Sequence, residues 1–129
     1  MTAEAPALVV LRRQLDERWP ARDRSSDGIL ADRRHRLLKS DHNQGNAIDI
    51  TRDDEHGPDL EVLVQEFRRQ MVAYPAGRLA YLIYNGRIAS RSDGFVLRRY
   101  RGPNPHTGHA HLSIRPELRG IERRWTVKG

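Results

Sequence analysis

Six histidines occur in the chain, and four of them fall in two tight clusters. The first cluster is Ser40-Asp41-His42-Asn43-Gln44-Gly45-Asn46-Ala47-Ile48-Asp49, and the second runs from His106 through His109 and His111 to Ser113. Imidazole and carboxylate bind divalent transition metals. Thiolate sites and disulfides are excluded, because the chain contains no cysteine. Both clusters run into an alternating polar and apolar pattern, the signature of a half-buried strand. In residues 47–51, Ile48 and Ile50 point one way and Asp49 and Thr51 the other. In residues 109–114, His109, His111 and Ser113 share one face, opposite Ala110, Leu112 and Ile114. If the two strands pair, Asp49 and His111 converge, and His42 returns over them through a turn at Gly45-Asn46. Two imidazoles and one carboxylate leave one tetrahedral position open. That is the ligand count of a catalytic zinc site, where water is activated and amide hydrolysis follows.

The spacing Ser40-x-His42-x-x-Gly45-x-Ala47-x-Asp49 resembles the first signature of a family of zinc peptidases. The family includes D-alanyl-D-alanine carboxypeptidases and the L-alanyl-D-glutamate endopeptidases of bacteriophage endolysins, with hedgehog and lysostaphin-type domains as more distant relatives. All five fixed positions match, and His109-x-His111 is similar to the family's second signature, so the resemblance spans about residues 26–114. It implies His42, Asp49 and His111 as zinc ligands, His109 as the group that assists the attacking water or stabilises the oxyanion, and Ser40 in support. It also implies an upstream arginine near the substrate carboxylate or oxyanion, for which Arg24, Arg34 and Arg36 are candidates. One position departs from the pattern. Carboxypeptidase-type members often carry a general-base Glu or Asp where this chain has Gly108, so His109, and after it His106, are the candidate bases. Tyr100 and Asn104 are candidates to line the cleft. His35 and His56 are expected to be solvated.

The function so implied is zinc-dependent hydrolysis of amide bonds in bacterial peptidoglycan stem peptides, with zinc-bound water as nucleophile. The partners expected are stem peptides and Zn2+, with no nucleic acid, and the chain is expected to be a monomer. Two other classes remain in view. One is a metal-dependent nuclease, which the basic charge and Asp41-His42-Asn43 would suit. That reading leaves Gly45, Ala47 and Asp49 unexplained and expects the later histidine on a helix. The other is a zinc-binding module without turnover.

These residues need elements to position them. The chain has 129 residues, enough for one domain over 1–129. No apolar run is long enough to span a membrane. The net charge is +6, carried almost entirely by arginine, since lysine occurs only at Lys39 and Lys128. Such a balance favours anionic partners such as cell-wall polymer. The apolar run Ala5–Leu11 is followed by Arg12-Arg13 where a leader would have its cleavage site. No signal peptide is therefore expected, and the resemblance places the chain in a host cytoplasm before it meets the wall. Helical spacing covers residues 6–18 (Leu8, Leu11, Leu15) and about 59–73 (Leu60, Val64, Phe67, Met71). A short helix capped by Ser26 or Asp27 is expected to run to about Leu38. Residues 79–84 and 87–90 read as a hairpin about Asn85-Gly86, followed by strands at 95–100 and 109–115. The tail from Pro116 is expected to pack loosely. The order describes an α+β domain with an antiparallel sheet and helices on one side, as the hedgehog/D-Ala-D-Ala peptidase resemblance also implies.

Overall fold

The structure, a computed structural model, describes residues 3–29, 45–74, 76–102 and 105–129. It is an α+β fold, with two α-helices and a five-stranded antiparallel sheet among the described residues. In chain order the elements are α1 (Pro6–Arg18), β1 (Ala47–Thr51), α2 (Leu60–Ala73), β2 (Leu79–Tyr84), β3 (Arg87–Ser90), β4 (Arg98–Arg99) and β5 (His109–Ile114). The strand order across the sheet is β1-β5-β2-β3-β4.

Local chemistry accounts for these boundaries. Pro6 opens α1, where a missing amide proton costs nothing, and the helix stops before Pro20. Asp59 caps α2 by accepting from the Val62 amide at 3.2 Å. Asn85 and Gly86 take φ of 52° and 75°, the left-handed pair that joins a two-residue hairpin. Leu8, Leu11 and Leu15 of α1 share one core with Leu60, Leu63, Phe67 and Met71 of α2. Ile48, Ile50, Ala110, Leu112 and Ile114, the apolar face of the sheet, close it from the other side. Among the described residues no helix is long and apolar enough to cross a membrane.

Three expectations need correction. The strand expected over 95–100 shrinks to Arg98–Arg99. Gly94 and Phe95 both take positive φ, and Phe95 turns its ring into the core, so the chain joins the ladder only at Arg98. The tail is not loose. Trp125 is buried against Phe67 and donates from Nε1 to the Ala7 carbonyl at 2.8 Å; its backbone carbonyl accepts from Gln14 Nε2 and its backbone N–H donates to Gln14 Oε1. Residues 26–29 do not begin a helix, because Gly28 forms a β-bridge with Asp49. The remainder of that expected helix lies outside the described residues.

Candidate metal centre

The β1–β5 ladder sets Asp49 opposite His111 and Thr51 opposite His109. Strand alternation then gathers Asp49, His109, His111 and Ser113 on the face away from the core. Asp49 Oδ1 lies 3.1 Å from His111 Nδ1 and 3.7 Å from His109 Nε2. The other nitrogen of His111, Nε2, lies 2.9 Å from Ser113 Oγ, and the Tyr81 ring stacks on the imidazole at 5.5 Å.

Tyr81 reaches this face through a bulge. Leu79 pairs with Ile114 and Tyr81 with Ser113, so β2 has two residues for one step of β5. Simple alternation would have put Tyr81 on the core side with Leu79. The extra residue turns it over onto the histidines.

His106 arrives from the loop before β5, at φ 57°. That loop is held by the hairpin turn. The Asn85 amide donates to the His106 carbonyl at 3.0 Å and the Gly86 amide to the Pro105 carbonyl at 2.8 Å. His106 thereby sits edge-on to His109 and His111, with ring centroids at 4.9 and 5.4 Å, and Tyr100 packs behind it at 5.8 Å. Asp49, His106 and His109 each offer a ligand atom within 4.8 Å of the others. One carboxylate with two imidazoles is a donor set of the kind that binds divalent transition metals, and this group can hold a metal ion.

Behind the carboxylate runs a polar brace. The Asp49 amide donates to the Gly28 carbonyl at 3.0 Å. Asp27 Oδ1 accepts from the amide and hydroxyl of Thr51 at 2.8 and 2.7 Å, and its Oδ2 accepts from Arg22 at 2.6 Å. Arg22 is buried and also reaches Asp16 at 2.8 Å. Burial opposes its charge, but Asp27 and Asp16 outweigh that and raise its pKa. Residues 26–28 are thus clamped along β1 next to Asp49. Sequence reasoning missed this brace. Its one available signal was Thr51, a second polar residue on the Asp49 face.

The first cluster owes two of its residues to packing. Gly45 takes φ 72°, and a Cβ there would stand 2.1 Å from the Ala3 carbonyl oxygen, so only glycine fits. Ala47 is fully buried.

Of the residues singled out from sequence, the structure brings together Asp49, His106, His109, His111 and Tyr100. Arg24 lies apart, bonded to Asp16 and to the carbonyls of Arg22 and Pro20. His56 is exposed, as expected. Arg34, His35, Arg36, Ser40, His42 and Asn104 lie outside the described residues. No protein-family model, curated protein or solved structure matches this chain.

Proposed function

We propose that this chain is a zinc metallopeptidase that hydrolyses amide bonds of peptidoglycan stem peptides, on a hedgehog/D-Ala-D-Ala peptidase-like fold. The observation that carries the reading is the pairing of Asp49 with His111 at 3.1 Å, with His109 and His106 alongside. Two ligands bonded to one tetrahedral zinc at 2.0–2.1 Å stand roughly 3.3 Å apart, close to the Asp49–His111 separation. Ser113 engages the outer nitrogen of His111, the kind of partner that fixes the tautomer and orientation of a ligating imidazole. His42, Asp49 and His111 are the ligands the sequence resemblance implies. When bound, zinc supplies Lewis acidity towards the scissile carbonyl.

The remaining work falls to the chain's own groups. Asp49 offsets part of the ion's charge, and its own position is secured by the Gly28 carbonyl and the Asp27–Thr51 clamp. His109 takes the proton of the attacking water and returns it to the leaving amine, the general-base and general-acid role that imidazole most often serves. His106, edge-on to His109, stands next in line. The net positive charge favours encounter with stem peptides, which carry free carboxylates.

Digestion of purified peptidoglycan by zinc-loaded protein, read by mass spectrometry of the released fragments, tests this. Stem-peptide cleavage that disappears in His111→Ala supports the proposal. One zinc per chain without any released fragment would instead leave a binding module. Zinc retained in His111→Ala but lost in His106→Ala would move the ion onto Asp49, His106 and His109.

A further inference from the structure

A cavity of about 410 Å3 lies against the start of β2 and the end of α2, and it shares no residue with the histidine cluster. It is lined by Leu79, whereas the β2 partner of His111 is Ile83, about 13 Å further along the strand. Its wall includes Tyr74, Arg78, Arg123, Arg124, Trp125 and Thr126.

Arg78 is fixed in place from two directions. Its guanidinium lies 3.8 Å from the centroid of the buried Trp125 ring. Its Nη1 donates to the carbonyls of Ile121 and Arg123 at 2.9 and 2.6 Å. These partners satisfy hydrogen bonds but leave its charge uncompensated. Among the described residues neither Arg78 nor Arg123 forms an ion pair with a carboxylate, and Arg124 meets Glu17 only at 3.9 Å. Glu66, on the preceding turn of α2, is already taken by Arg69 at 2.7 Å and Lys128 at 3.9 Å. Burial and the neighbouring charge of Arg123 both push the pKa of Arg78 below its usual value.

A fixed, half-buried guanidinium beside a second like charge is electrostatically unfavourable until an anion arrives. The planar fork of each guanidinium matches the oxygens of a phosphate or carboxylate. We propose that this cavity binds an oxyanion, a phosphate ester or carboxylate borne by a polymer, between Arg78 and Arg123. The exposed Tyr74 ring gives the rest of the ligand an apolar surface. The site is a second anchoring point, separate from the chemistry at the histidines.

Proton–nitrogen NMR titration at low ionic strength tests the site with two probes, tripolyphosphate and poly-L-glutamate. At least one probe is expected to shift the Trp125 indole and Arg78 side-chain signals selectively, and the probe that does so identifies the class of anion. Arg123→Gln, at an exposed position, should weaken that binding about tenfold, the scale of one charge-assisted contact. Arg98→Gln on the distant β4 edge should leave it unchanged. No selective shift with either probe in the wild-type protein overturns the proposal without recourse to a variant. Equal weakening by Arg123→Gln and Arg98→Gln also overturns it, because binding would then follow net charge alone.

Discussion

At the scale of single residues, the centre is organised by Asp49, which touches His111, lies near His109 and is tied by its own amide to Gly28. Asp49→Asn keeps the shape but removes the charge. Zinc affinity measured by competition with a chelator should fall at least about a hundredfold, with hydrolysis lost in parallel. Ser113 makes a different contribution, since its hydroxyl meets the outer nitrogen of His111 and not the one facing Asp49. Ser113→Ala should weaken zinc about tenfold and leave the fold intact by circular dichroism. Unchanged affinity in that variant would show that Ser113 does not orient the ring.

At the scale of elements, two polar clusters brace β1 and α2. The Asp27 clamp carries four hydrogen bonds around the end of β1, from Arg22, from the two Thr51 groups and from the Ser26 amide to the Thr51 hydroxyl. Asp27→Asn leaves Arg22 buried with less compensation, so the melting temperature should drop by about 5 °C and zinc affinity should fall with it. A drop in stability alone, with zinc affinity preserved, would separate the brace from the site. On α2, the Arg69 and Gln70 hydrogen bonds and the Lys128 charge hold the Glu66 carboxyl down to about 2. A depressed carboxylate contributes stability above its ordinary pKa, and that contribution is lost as pH falls from about 4.5 towards 2. Glu66→Gln should therefore lower the melting temperature at neutral pH. Thermal melts of the variant over pH 2–5 should also lose part of the acid dependence seen in the wild type.

At the scale of the whole molecule, the C-terminal segment closes the core. Trp125 joins α1 through Ala7 and Gln14 and joins α2 through Phe67. Trp125→Ala should destabilise the fold by about 3 kcal/mol in urea titration, the cost of a large buried ring and its cavity. On the proposed reading, zinc acts on the same equilibrium from the opposite face of the sheet. An ion that binds the native state alone raises the melting temperature in proportion to the logarithm of its concentration, and chelation reverses the rise. Failure of zinc to shift the melt at a hundredfold excess over the chain would argue that the donors do not form a site.

Much of the centre was legible from residue order because strand geometry has a period of two. Alternation at 47–51 and 109–114 put Asp49, His109 and His111 on polar faces, and the antiparallel pairing of those strands set Asp49 against His111. The hairpin at Asn85-Gly86 and both helices followed from equally local rules. Other features have no local signature. The bulge that turns Tyr81 onto His111 depends on how β2 registers against β5, which only the assembled sheet decides. The Asp27 clamp, the docking of His106 on the hairpin turn and the burial of Trp125 under α1 join residues far apart in the chain. Each is chosen by the need to satisfy buried polar groups and fill the core once the layers meet, a constraint that exists only in three dimensions.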